Sequence, residues 1–457
     1  MLKVGGFPEF LPKEQKIFDE LVKIIEKTYK TFWYIHIQTP AVERNNVLLA
    51  KSWDEVSKQI FWLYWLAQWC ENDKKDYSLH FDLTVPFARY VLDYENELIF
   101  PFKRYQIQPV WRGERQQKWR YREFWQADID IVERMEVWKA LEEVWREKGE
   151  YIWHDIEVVW VLMKTLDNIF SKFKLSNKLI LRINNKKIIQ GLLEYLKKSG
   201  LKENVLEWLT GLLDKYHKLS SKDFEYRLKK LIIDWWYSEN VAEKFVKLIL
   251  DFIDWKFDIG LQSNKIFTEG ISELDVVYSG VLRFLEWFGI NRIEVVKDYS
   301  IVRWLDYYTW VVFETFIQWN ENLGSICSGW RYDNLTGYID SKKNYFNGVG
   351  GSIGVNRLFD WLKEQTNFWK YEEKYLFLNF GFWENFQKVF QLYTKFLKEG
   401  KICSIYPTPD KLKKQFKYAD KAGYKYVVIL GEDEIKQGVY KIKDLESGKE
   451  SEFKIIQ

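Results

Sequence analysis

Cysteine is nearly missing from this 457-residue chain: Cys70, Cys327 and Cys403 are odd in number and far apart. Neither a disulfide framework nor a CxxC metal site can be built from them, and a reducing compartment fits. Histidine is as scarce, with His36, His80, His154 and His217 none paired at ligand spacing, which argues against a histidine metal site. There is no GxxxxGK[ST] phosphate loop and no HExxH. No run approaches the ~18 apolar residues of a membrane span, and the opening MLKVGGFPEFLPKEQ has no apolar signal core. A soluble, cytoplasmic protein without membrane partners is expected. Lys and Arg total 69 against 66 Asp and Glu, so the net charge is only +3 and any nucleic-acid surface must be local. What is present, 47% hydrophobic and 30% charged residues, is globular composition with length for about three domains.

Glycine is also short, and tryptophan is inflated to match it: 24 of each, about 5%, where glycine near ~7% is usual. Trp53, Trp304, Trp310 and Trp330 stand in stretches that read as turns, where a bulky side chain is costly and a missing Cβ is wanted.

Apolar residues Ile17, Phe18, Leu21, Ile24 and Ile25, with Pro12 just ahead, predict an amphipathic helix over 13–30. Segments 78–92 and 100–131 read as strands and hairpins. Residues 133–170 read as helical, and the Leu/Lys/Glu-rich stretch of about 172–265 as a helical insertion. Strands return over 291–360, ending at Gly348, Gly350, Gly351 and Gly354 before a helix near Val355. A polar linker at 366–374 separates a core of 1–365 from a small α/β domain at 375–457.

The densest chemistry lies between Pro109 and Ile131. In a hairpin, side chains two apart share a face, so Arg112, Glu114, Gln126, Asp128 and Asp130 can line one side. A guanidinium there grips an anion and the carboxylates an amine or ring nitrogen; a solvated hairpin with cross-strand ion pairs is the competing reading. Asp82 and Thr84 are placed on a short strand ahead of Pro86 and Arg89. Arg303, Asp306, Tyr307 and Tyr308 sit between apolar runs, Arg331, Tyr332 and Asp333 follow, and Arg357 opens a helix after a Gly-rich strand. Arginines and carboxylates on β-rich segments suggest a site for a polyanion plus an amine, such as a nucleotide with an amino acid.

GFPEFLP, FDLTVPFARY, RGE…RYREFWQADIDI, RWLDYYTWVVFE, SGWRYDNL and GGSIGVNRLF occur in the order found in the histidyl-tRNA synthetases, which this chain resembles over nearly its whole length. LDYYT with its preceding Arg is what sets that family apart from other class II synthetases. The resemblance implies an α+β fold: an antiparallel-sheet class II core with a helical insertion, then a small α/β anticodon-binding domain. It implies a homodimer with Pro40 near the partner, and ATP as substrate with Mg²⁺ but no protein-bound metal. It places Arg112, Glu114 and Arg357 on ATP, and Arg303 on the α-phosphate and the histidine carboxylate, with Arg303 and Arg112 as the catalytic pair. Asp82 and Thr84 would take the α-amino group, with Gln126 toward the carboxylate, while Asp130, Tyr308 and Tyr332, with Tyr307 beside them, would hold the imidazole. The implied reaction is activation of L-histidine to the adenylate and transfer to tRNA(His). A non-catalytic paralogue, the regulatory subunit of ATP phosphoribosyltransferase, and an RNA-binding accessory protein are the alternatives. Between Lys411 and Lys425 six lysines meet one aspartate, a local excess of +5 interleaved with Phe416, Tyr418 and Tyr424. Lys411, Lys413, Lys414 and Lys417 are the expected tRNA contacts, against the plainer reading of a solvated basic face.

Where the family has glycine, this chain has Trp119, Trp304, Trp310 and Trp330. True tryptophans would fill the pocket, yet the charged residues beside them are intact. A recoded UGA codon, inserting glycine but written as tryptophan, accounts for both.

Overall fold

The computed structural model describes residues 3–50, 57–63, 76–115, 118–137, 152–257, 259–301, 310–333, 335–365, 372–381 and 383–455. Two compact units divide the chain, Met1–Glu364 and Gln365–Gln457.

In the first unit the strands are β1 (Ile35–His36), β2 (Val42–Arg44), β3 (Tyr77–Leu79), β4 (Phe102–Trp111), β5 (Glu123–Arg134), β6 (Leu179–Asn185), β7 (Ile293–Lys297), β8 (Val311–Ile317), β9 (Cys327–Asp333) and β10 (Phe346–Gly354). The helices used below are α1 (Pro12–Thr31), α2 (Thr84–Asp93), α3 (Trp153–Lys172), α4 (Lys186–Lys198), α5 (Glu203–Leu213), α6 (Ser221–Asp234), α7 (Glu239–Ile253), α8 (Lys265–Trp287) and α9 (Val355–Gln365). Eight strands form one sheet in the order β1-β4-β5-β10-β9-β8-β6-β7, antiparallel from β4 through β6, with parallel pairs only at its edges.

The alternation of side chains explains its two faces. Ala127, Ile129 and Ile131 of β5 are fully buried on one side. That side backs onto the helices: the Tyr29 hydroxyl of α1 donates to the Ala127 carbonyl at 3.0 Å, and Leu162 of α3 lies against Gly351. The other side carries Gln126, Asp128 and Asp130, which the ladder sets opposite Gln108, Gln106 and Arg104.

Three sequence expectations change. Residues 84–93 are helix α2 rather than strand, because Pro86 falls in the first helical turn, where its missing N–H costs nothing, and Asp82 Oδ1 accepts from the Val85 N–H at 3.1 Å. Within the stretch expected to be a helical insertion, Leu179–Asn185 is a strand inside the main sheet, and helices begin only at Lys186. Its LILRIN alternation is masked in the sequence by the helical periodicity that surrounds it. Glu133 and Arg134, expected to be helical, extend β5.

The second unit has β11 (Glu372–Phe377), β12 (Ile402–Ile405), β13 (Tyr424–Ile429), β14 (Val439–Asp444) and β15 (Glu450–Lys454), in the order β12-β11-β13-β14-β15. Helices α10 (Trp383–Lys398), α11 (Leu412–Ala422) and α12 (Glu432–Gln437) accompany it. Glu372, Glu373 and Lys374, assigned to the linker from sequence, already belong to β11, and 366–371 lie outside the described residues. No helix among the described residues is long and apolar enough to cross a membrane.

Candidate active site

The polar face of β4, β5, β10 and β9 is where the sequence-derived residues converge. Across four strands the register aligns Arg104, Asp130, Gly350 and Trp330, with Tyr332 two residues along β9 on the same face. Asp130 is buried; its Oδ1 accepts the Tyr332 hydroxyl proton at 2.7 Å and its Oδ2 lies 2.7 Å from Arg104 Nη2. Gly350 makes this possible, since a Cβ there would fall 1.9 Å from Asp130 Oδ1. Arg104 is wholly buried, its guanidinium 4.3 Å from the Phe87 ring centroid.

Burial dominates the acids. It pushes Asp130 up to about 7 and Asp82 to about 6, and raises Asp128; Arg104 opposes the shift in all three, and Arg112 opposes it in Asp82 and Asp128. Three carboxyls within one field leave room for a cationic guest, which would restore their charge. Two atoms reinforce this: Asp128 Oδ1 and Gln126 Oε1 are buried without a hydrogen-bond partner, while Gln126 Nε2 donates to Ser352 Oγ at 3.1 Å. Buried polar atoms left so are costly until a ligand meets them.

Thr84 is buried at the start of α2, two residues after Asp82. Arg112, just past the last β4–β5 pair, donates from Nε to the Phe81 carbonyl at 2.9 Å and lies 5.1 Å from the Phe124 centroid. Its charge acts on Asp82 and Asp128, tying this end of the hairpin to the acid cluster. Glu114 lies beyond the ladder, where its carboxylate pairs with Arg120 at 3.6 Å. Arg357, in the first turn of α9, donates to the Ser325 carbonyl at 2.5 Å. Arg303, Trp304, Tyr307 and Tyr308 lie outside the described residues.

A neighbouring network is not legible as a unit in the sequence. Arg331 is buried, pairs with Asp155 at 3.4 Å and Asp333 at 3.1 Å, and faces the Trp310 ring at 4.2 Å, while Lys187 approaches that ring at 3.8 Å. Arg104 escapes the sequence reading altogether. Its signal is the period-2 run Arg104, Gln106, Gln108, polar residues on an otherwise apolar strand.

Trp330 is not in a turn, as its sequence context suggests, but inside β9, its ring packed against Ala88, Ile301, Val312 and Tyr332. Trp119 occupies the turn between β4 and β5 with φ of 65°.

In the second unit Lys411, Lys413, Lys414 and Lys417 are exposed on or beside α11, with Lys414 paired to Asp410 at 2.8 Å. Buried Gln415 holds this segment by donating to the Asn379 and Asp410 carbonyls at 2.8 and 2.7 Å.

A family model described as histidyl-tRNA synthetase matches residues 6–358, and one described as an anticodon binding domain matches 379–457. The chain is 36% identical over 461 residues to a histidine–tRNA ligase of Clostridium acetobutylicum, covering 98% of this chain and 97% of that one. It is 36% identical over 455 residues to that of Finegoldia magna, covering 97% and 95%. The crystal structure of histidyl-tRNA synthetase from Nostoc sp. PCC 7120 superposes with a TM-score of 0.75 at 28% identity, covering 99% and 96%.

Proposed function

This chain belongs to the histidyl-tRNA synthetase family, and on that premise we propose that it is a histidine–tRNA ligase, activating L-histidine with ATP and passing it to the 3′ end of tRNA(His). The observation that carries this reading is the Asp130–Tyr332 pair folded over Gly350 with Arg104 beneath it. A neutral imidazole offers one donor and one acceptor, and a carboxylate beside a phenol meets both once the Tyr332 hydroxyl turns from Asp130 to the ring; an apolar analogue would leave them unpaired. Asp82, with Thr84 next to it, receives the α-ammonium, whose charge draws Asp82 back to the ionised form. Gln126 lies toward the carboxylate, and Tyr307 and Tyr308 complete the ring's surroundings.

ATP enters as substrate with Mg²⁺ on its phosphates, gripped by Arg112, Glu114 and Arg357. The histidine carboxylate attacks the α-phosphorus in line, and Arg112 and Arg303 stabilise the charge that develops there as pyrophosphate leaves. A ribose hydroxyl of the tRNA terminus then attacks the acyl carbon and displaces AMP. Lys411, Lys413, Lys414 and Lys417 contact the tRNA backbone. The enzyme acts as a cytoplasmic homodimer, with Pro40 near the partner.

Histidine-dependent exchange of pyrophosphate into ATP is the test. Exchange with histidine and not with other amino acids is the expected result; histidine binding without exchange would point to the sensor-like paralogue instead.

A further inference from the structure

Among the described residues, six that are not glycine have positive φ: Lys174 at 54° and Trp33, Trp119, Trp236, Trp255 and Trp319 at 64–71°. An L side chain rarely adopts this region, and for a bulky one it is an outlier. The preference is not aromatic in origin, because the chain has 32 phenylalanines and 28 tyrosines and none of those described shares it.

Three of the five end helices. After α1 the Trp33 N–H bonds the Lys30 carbonyl at 3.1 Å and the Tyr34 N–H the Tyr29 carbonyl at 3.2 Å. After α7 the Trp255 N–H bonds Phe252 at 3.2 Å and the Lys256 N–H bonds Asp251 at 2.7 Å; after α6 the Trp236 N–H bonds Ile233 at 2.9 Å. The paired bonds are those of the Schellman cap, whose left-handed position belongs to glycine. This chain's own glycines make it elsewhere: Gly200 after α4, Gly289 after α8 and Gly400 after α10 each repeat the same two bonds. Trp319 and Trp119 lie in turns. No packing offsets the strain at three of the five, for Trp33, Trp236 and Trp319 are 82%, 92% and 86% exposed.

Other tryptophans sit within regular elements with no positive φ, Trp111 in β4 and Trp361 in α9. Trp361 is buried against Phe170, and Trp111 donates from Nε1 to Glu123 at 2.7 Å. Two populations under one letter imply two codons.

We infer that the polypeptide made in its native cell carries glycine at positions 33, 119, 236, 255 and 319, incorporated at in-frame UGA codons, while Trp111 and Trp361 are genuine and encoded by UGG. Position 119 lies next to Arg120, the partner of Glu114, whereas 33, 236 and 255 end helices, so the recoding extends through the fold rather than marking a decayed active site.

Tandem mass spectrometry of peptides from the native protein, with the codons read in parallel, tests this. Glycine at all five positions over UGA, with tryptophan at Trp111 and Trp361, is the expected result. Tryptophan in the native protein at any of the five, or UGG beneath it, overturns the inference. As a second measurement, the full chain as written is compared with one carrying Trp33→Gly, Trp236→Gly, Trp255→Gly and Trp319→Gly. The glycine version is expected to unfold at a higher temperature, and an equal or lower midpoint counts against the proposal.

Discussion

Asp82 shows how a single residue couples binding to stability. Burial lifts its carboxyl to about 6, so between about pH 4 and 6 the ligand-free native state holds a proton that the unfolded chain has lost. Its contribution therefore falls as pH rises through that window and is fully lost above it. Asp82→Asn keeps an acceptor for the Val85 N–H but never ionises. The ligand-free variant should be more stable than the parent near pH 8, by on the order of 3 kcal/mol, with the difference vanishing below about pH 4. Thermal unfolding across that range checks it, and the KM for histidine should rise at the same time. Trp330 gives a second residue-scale outcome: Trp330→Gly removes a ring from the face of β9 that aligns with Asp130 and should raise pyrophosphate exchange at least about tenfold. The acids and Tyr332 were legible in the sequence because charged side chains on a strand demand partners. Arg104 was not, because the alternation of Arg104, Gln106 and Gln108 marks a polar face without telling a salt-bridged core arginine from a surface one.

Among the elements, the β4–β5 hairpin and the glycine-rich β10 could be read from alternation alone. Helix α2 could not, since ten residues with a proline and several β-branched or aromatic neighbours mimic a strand until the capping bond from Asp82 is seen. The helices after β6 were legible as helices, but not their tether. His217, in the turn between α5 and α6, lies 2.6 Å from Asp298 just past β7, and Ser300 Oγ is 2.9 Å from the same nitrogen. Burial opposes ionisation of Asp298, but the hydrogen bonds from His217 and Ser300 outweigh it and hold the carboxyl low. His217→Ala should cost about 1.5 kcal/mol, the lower end for a hydrogen bond to a charged group, and quicken proteolysis within 203–253. Denaturant melts and timed digestion measure both.

For the molecule as a whole, the chain divides into two units after Glu364. A chain ending at Glu364 should retain histidine-dependent exchange yet lose at least about tenfold in tRNA charging, as paired assays would show. Changing Lys411, Lys413, Lys414 and Lys417 together to alanine should weaken tRNA binding and flatten its salt dependence by about three units of log-log slope, at ~0.7 to 0.9 for each phosphate no longer neutralised. The lysine-rich stretch was countable in advance. The lodging of Gln415 beneath it was not, for an amide on a basic helix face looks solvated until its carbonyl partners are known.

The bare backbone at Gly350 has one more implication. A lone methyl introduced there would fall 1.9 Å from the Asp130 carboxylate and 2.8 Å from the Ile129 carbonyl, so even alanine would displace the acid and press on the β5 backbone at once, joining any loss of amino-acid selection to a loss of stability.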